Sequence, residues 1–300
     1  MQHYFEFLLT REEYLAGEKS AEGVDGAIRQ MLKDASYTYL LRLGTYSHHT
    51  ALGKFEKVRK GKIESWRDPN VVYRNNHTFA VKVEEPDKEI RYHVWHRRVS
   101  GKCPLQLTVE LPRGKLKGKV IYEKEVPVDS RFSGKIPVPQ AGTYILRAMM
   151  KLPNQFTLEI ENQLFVVRAD KRNEFHPFAS ASNAKRTKEF HSHGTPGFIS
   201  RYFYVPGDAG YFTVHVESPS PPEWVSFKIR APDGESLVSV DNWYGRKDYT
   251  ITVPPVAVGR IWKLEYLNAE DSNIVFSDEV PGWLASHPNR LIVPEEFVKQ

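Results

Sequence analysis

At 300 residues the chain is too long for one small domain and fits about two, each large enough to bury a core without disulfides. Its 42 basic residues face 37 acidic ones, and the formal net charge of +5 is too mild and too evenly spread to predict nucleic-acid binding. Aromatic content of 12% and 20 prolines against 4 methionines favour a β-rich architecture, and a single cysteine, Cys103, excludes both an intramolecular disulfide and a cysteine-built metal site.

Residues 1 to about 45 carry helical periodicity. Tyr4, Phe7, Leu8, Tyr14 and Leu15 form one stripe ending at Gly17. Val24, Ile28, Met31, Leu32, Ala35, Tyr39, Leu40 and Leu43 form a longer one ending at Gly44. Two such helices cannot bury their stripes on each other alone, so they are expected to dock on the β region or on a larger upstream domain. The opening "MQHYFEFLLTREEYLAG" has no basic n-region and no A-x-A site, so no signal peptide is read in it; nor does the chain hold a run of 18 apolar residues to span a membrane. Residues 46–70 are polar and basic, a connector with one short strand around Phe55 to Val58.

From Thr78 the period changes to two. Phe79, Val81 and Val83 alternate with polar residues, and further strands follow in "LQLTVELP", "KVIYEKEVPV", "FSGKIPV", "GTYILRAMM" and "TLEIENQLFVVR". Turn signals every 8 to 12 residues are the spacing of an all-β sandwich. Residues 169–195 switch to small and basic side chains and read as a linker. A second β region begins at "SRYFYVPGDAGYFTVHVES", and the proline-rich close "DEVPGWLASHPNRLIVPEEF" reads as an extended tail outside any ladder.

The two β regions repeat each other. "LQLTVELPRGK" matches "VSFKIRAPDGE", with proline and glycine two apart at Pro112/Gly114 and Pro232/Gly234, the chemistry of a hairpin turn. "FSGKIPVPQAGTYILRA" matches "DYTITVPPVAVGRIWKLEY", and the glycine spacings are close, 28 residues from Gly114 to Gly142 and 25 from Gly234 to Gly259. Tyr144 and Trp262, which open equivalent strands, are assigned to the cores. The fold class expected is therefore mainly β: two tandem antiparallel, jelly-roll-like β-sandwiches preceded by an N-terminal helical segment. The expected boundaries are 1–70 for the helices and connector, 71–168 for the first sandwich, 169–195 for the linker, and 196–300 for the second sandwich with its tail.

Across residues 200–268, the aromatic-Val-Pro step of "RYFYVPGDAG", the Pro-Asp-Gly strand end and the final strand "VPPVAVGRIWKLEYL" resemble the bacterial pre-peptidase C-terminal type of β-sandwich and its jelly-roll relatives. Gly259-Arg260-Ile261-Trp262 departs from the family's Gly-Thr-Tyr, which Gly142-Thr143-Tyr144 keeps. The resemblance implies a non-catalytic module beside a catalytic domain of an exported or cell-surface protein. It names no ligand.

No motif carries catalysis. Glu84-Glu85 and Asp271 lie in turn-like stretches, there is no G-x-S-x-G and no phosphate loop, and Cys103 beside Pro104 reads as a small buried residue. The histidines (His48-His49, His93 with His96, His191 with His193) read as solvated or structural, so no metal and no cofactor is expected. Exposed aromatics are the one class with a positive function, because they stack on the apolar face of a sugar. "SVDNWYGRKDY" places Asp241, Asn242, Trp243, Tyr244 and Arg246 in what reads as an inter-strand loop, and these are the candidate ligand-binding residues. "RYHVWHRR" puts His93 and Trp95 on one alternation face. The function expected is a non-catalytic, carbohydrate-associated accessory module with a polysaccharide or glycan ligand. The alternative is the C-terminal β-sandwich portion of a larger hydrolase whose catalytic domain lies upstream. A third reading gives the Lys/Arg-rich segment 171–188 an anionic partner.

Overall fold

A computed structural model describes residues 54–59, 71–85, 88–111, 119–170, 174–175, 177–179, 199–218, 224–269 and 272–298. The helices expected over residues 1–45, the Pro112-Arg113-Gly114 turn, His48-His49, His191, His193, Asp271 and the basic run at 180–188 lie outside them. Ala51–Gln300 form one compact unit.

Among the described residues, twenty strands build this unit, and the ladders between them are antiparallel. In chain order they are β1 (Phe55–Lys57), β2 (Val71–Arg74), β3 (His77–Val83), β4 (Glu89–Arg97), β5 (Leu105–Glu110), β6 (Val120–Val126), β7 (Ser130–Pro137), β8 (Gly142–Met149), β9 (Gln155–Ile160) and β10 (Leu164–Arg168). There follow β11 (Pro177–Ala179), β12 (Ile199–Val205), β13 (Tyr211–Ser218), β14 (Val225–Arg230), β15 (Ser236–Trp243), β16 (Gly245–Thr252), β17 (Arg260–Ala269), β18 (Asn273–Phe276), β19 (Trp283–Leu284) and β20 (Ile292–Pro294). The expected mainly-β class is what the chain adopts. One six-stranded sheet, β19-β10-β3-β8-β5-β6, faces a five-stranded one, β11-β2-β9-β4-β7; downstream, β12-β17-β14-β15 faces β16-β13-β18. Alternation drives this: β4 and β13 bury every second residue, and the buried rings interlock across the sheets. Phe79 lies edge-on to Tyr73 at 5.2 Å, and Phe203 meets Phe276 at 4.7 Å.

The repeat holds at the level of strand order and register. The run β3-β8-β5-β6 matches β12-β17-β14-β15, and β9-β4-β7 matches β18-β13-β16. Val81 opposes Tyr144 as Phe203 opposes Trp262, and Val109 opposes Leu146 as Ile229 opposes Leu264. Beside these pairs stands an ion pair with its signs exchanged: Arg147 Nε to Glu110 at 2.8 Å in the first copy, Arg230 Nε to Glu265 at 2.5 Å in the second. Tyr144 and Trp262 are fully buried, as equivalent strand openings predict; the Trp262 indole N–H donates to the Ala257 carbonyl at 3.0 Å. Gly259 takes a φ of 65°, a turn conformation that costs a side-chain-bearing residue.

The tail departs from the sequence reading. It is extended, but it enters ladders: Trp283–Leu284 pair with β10, and Ile292–Pro294 pair with β1. The prolines permit this because both strands sit at sheet edges, where a missing N–H removes no ladder bond. Together β1 and β20 form a third layer over the outer face of the six-stranded sheet. The Phe55 N–H donates to Thr143 Oγ at 3.2 Å, Lys82 Nζ donates to the Phe55 carbonyl at 2.7 Å, and the Phe55 ring meets Trp283 edge-on at 5.1 Å. Both faces of the sheet are therefore dry where β10, β3 and the start of β8 lie under this layer, which is why Ala80, Ile145 and Val166 are buried alongside the true core residues Phe79, Val81, Leu146 and Val167; β5 and β6, beyond it, keep exposed outer residues.

The described part of segment 169–179 also pairs. Phe175 bridges Ile274 of β18, Asp170 bridges Phe276, and Pro177–Ala179 add an edge to β2. At this seam Arg201, 1% exposed, lies with its guanidinium carbon 5.9 Å from the Phe175 ring, and its Nη2 donates to the Tyr73 hydroxyl at 3.5 Å.

Candidate functional site

Two surfaces concentrate chemistry-bearing side chains. The first is the corner where the chain passes from β15 to β16, edge strands of opposite sheets. Only Tyr244 lies between the strands: Asp241, Asn242 and Trp243 belong to β15 and Arg246 to β16, so the expected loop is a tight crossing. The crossing bends by placing Asn242 at φ 42° and Gly245 at φ 111°, the latter with the Trp243 ring 3.4 Å from where a Cβ would stand. Ser226 braces the bend, its hydroxyl donating to Asp241 Oδ1 at 3.0 Å and accepting the Asn242 N–H at 2.9 Å. Trp243 is half-buried and packs on the core, whereas Tyr244 is 48% exposed. The Tyr244 ring is held edge-on by Trp224 at 5.4 Å, and Arg246 is drawn to Glu217, its Nε donating at 2.7 Å. The five expected residues thus meet at one corner, but the exposed ring is Tyr244, and its brace, Trp224, was not among them. Nothing local in "PPEWVS" marks Trp224, because its partner lies twenty residues on.

The second surface is the outer face of β7-β4-β9. Its alternation sets Arg91, His93, Trp95 and Arg97 in a row on β4, with Arg131, Ser133 and Lys135 across on β7. His93 is fixed by two bonds, to Ser133 Oγ at 2.6 Å and to Glu161 at 2.5 Å. Trp95 lies between two guanidinium groups, with the Arg97 carbon 4.8 Å and the Arg131 carbon 4.7 Å from its ring. His93 and Trp95 share a face as their spacing requires. His96 points inward, buried, with Nδ1 at 3.2 Å from the Val126 carbonyl. Arg131 escapes sequence reading because it meets Trp95 only through a strand register.

The remaining candidates resolve into structure. Glu84 pairs with Lys57 at 2.8 Å and Glu85 with Lys88 at 3.1 Å. Cys103 is buried and accepts from Asn154 Nδ2 at 3.4 Å. Burial beneath β7 pushes the Tyr92 hydroxyl far above its ordinary pKa, and its bond to the Tyr122 hydroxyl at 2.7 Å adds to the shift. Among the described residues no group of three or more His, Cys, Asp or Glu could hold a metal ion, and no helix is long and apolar enough to cross a membrane.

No protein-family model matches the chain, and no curated protein does. Among solved structures it is similar to the N-terminal tandem domain CBM22-1–CBM22-2 of Xyn10C from Paenibacillus barcinonensis. That similarity covers 68% of this chain and 80% of that one, at 13% identity and a TM-score of 0.21.

Proposed function

We propose that this chain is a non-catalytic binding module whose ligand is a carbohydrate, and that Tyr244 is its stacking residue. The observation that carries the reading is the exposure of Tyr244 at a rigid corner, with Trp224 fixing its ring. An aromatic ring held at a fixed angle loses little entropy when a pyranose lies on it, and its phenol tip stays in water. Asp241, Asn242 and Arg246 surround it with the donors and acceptors that sugar hydroxyls require. Their existing bonds to Ser226 and Glu217 hold them in place without using all of their capacity.

Titrating soluble neutral oligosaccharides while following intrinsic fluorescence tests this. Tyr244→Ala is expected to weaken binding about tenfold, ~1.4 kcal/mol. Trp243→Phe, whose ring faces the core, is expected to change it far less. No neutral sugar binding at all, or equal binding by Tyr244→Ala, removes the proposal.

A further inference from the structure

The two copies differ at one register position in a way that leaves charge without a partner. In the second sandwich, the pair after His215–Asp248 is Glu217 opposite Arg246, and the acid neutralises the guanidinium at 2.6 Å. In the first, the pair after His93–Ser133 is Trp95 opposite Arg131. The indole stands where the acid would be. Arg131 is exposed and meets no carboxylate among the described residues. Arg97, two residues along the same face and only partly exposed, is held by its position over Trp95; its Nη1 is buried without an acceptor, which leaves the Nε–Nη2 edge to meet a ligand. The nearby carboxylates are engaged with other cations: Glu161 with His93 and Arg91, Glu89 with Lys135 and Arg91, and Asp129 with Arg98. Glu159 lies opposite His93, one pair removed from Trp95.

We propose that Arg97, Trp95 and Arg131 form a second binding surface on the first sandwich, for an acidic polysaccharide whose sugars carry carboxylates; the sugar part of this assignment rests on the carbohydrate reading above. Guanidinium groups are planar forks that take a carboxylate through two parallel N–H donors, and they do so best when unpaired and pre-oriented. The indole supplies that orientation: a cation over its face is attracted by the ring quadrupole, so both arginines are set on a flat sheet before any ligand arrives. Two such forks straddling one aromatic ring match a polymer that presents an anion on successive sugars. A neutral glycan would leave both guanidiniums unused.

The test uses the whole chain at low and moderate salt against polygalacturonate, with fully methyl-esterified polygalacturonate, poly-L-glutamate and duplex DNA as comparison polymers. Wild type is expected to bind polygalacturonate at least tenfold more tightly than any of the three, and more weakly as salt rises. R97Q/R131Q and Trp95→Glu, which rebuilds the acid of the second copy, are each expected to weaken that binding at least tenfold. R131Q alone, at an exposed position, is expected to weaken it about threefold with an unchanged unfolding midpoint. The proposal is overturned if wild type does not bind polygalacturonate, if poly-L-glutamate or DNA binds as tightly, or if the arginine variants bind as wild type does. Neutral oligosaccharide binding that depends on Tyr244, with no binding of polygalacturonate, overturns this surface and leaves the carbohydrate reading standing. Absence of binding to any sugar polymer removes both.

Discussion

In the first sandwich β10, β3 and the start of β8 are dry on both faces; in the second, the matching strand β17 carries half-exposed residues on its outer face. Ile145 and Lys263 occupy the same place in the two copies, one buried under the β1–β20 layer, the other 2.5 Å from Glu265. The opposite sheets diverge too. The second copy closes its face with internal pairs, Arg246–Glu217 and His215–Asp248 at 2.7 Å, while in the first Trp95 carries the half-buried Arg97 and the exposed Arg131 against its ring, with no carboxylate on either among the described residues. A shared strand order thus fixes where side chains meet, and the side chains decide whether a face is covered, self-satisfied or available.

The largest expected effect comes from the cover. Trp283 joins the tail to Phe55 and lies 5.6 Å from the Arg168 guanidinium carbon, so Trp283→Ala strips contacts from the third layer as well as from β10. A loss of about 3–5 kcal/mol is expected in denaturant unfolding. A loss below 1 kcal/mol would mean the tail is an ornament on an independently stable sandwich.

A smaller effect tests how the two cores exchange bulk. Tyr92 opposes Gly134 in the first copy, while Val214 opposes Tyr249 in the second, so the large residue sits on the other strand. A Cβ at Gly134 would stand 2.6 Å from the Tyr92 ring. Gly134→Ala is expected to cost about 1–3 kcal/mol, and less than half of that in a Tyr92→Val background, where the second copy's arrangement is imitated. Equal costs in both backgrounds would break the equivalence of these strands.

The smallest effect is electrostatic and pH-dependent. Glu56 accepts from Lys82 at 2.9 Å and from Lys54 at 3.1 Å, and the Lys82 bond leads in holding its pKa below the usual 4.5. A depressed carboxylate stabilises the fold above its unfolded pKa and loses that contribution as pH falls through the folded value. Glu56→Gln is expected to be about 0.5 kcal/mol less stable than wild type at neutral pH, with the gap closing as pH falls below 4.5. A gap that widens in acid would contradict the pairing.

Much of this architecture was legible. Strict alternation in "LQLTVELP" and "YFTVHVES" marks half-buried strands, and the repeated Pro-Gly spacing in the sequence carries the duplication that the matching strand orders display. The tail was not legible, because Trp283 and Ile292 pair with residues more than a hundred positions upstream and its prolines mimic a non-strand. At the first candidate site, the residues of "DNWYGR" gather at one corner, where Tyr244 is the exposed ring and Trp243 packs on the core beside Gly245, a difference that alternation alone does not reveal. The outer face of β4 gave up His93 and Trp95 to simple alternation. Arg131 came only with the register, 36 residues along the chain from Trp95.

Equivalent faces of the two copies part at position 95, and Trp95→Glu reverses that one difference. Binding of polygalacturonate by wild type and by this variant should be measured side by side at low salt. Wild type is expected to bind, and the variant, its new carboxylate taking Arg131 as Glu217 takes Arg246, is expected to bind at least tenfold more weakly with an unchanged unfolding midpoint. Equal binding by the two proteins, or none by wild type, would contradict it.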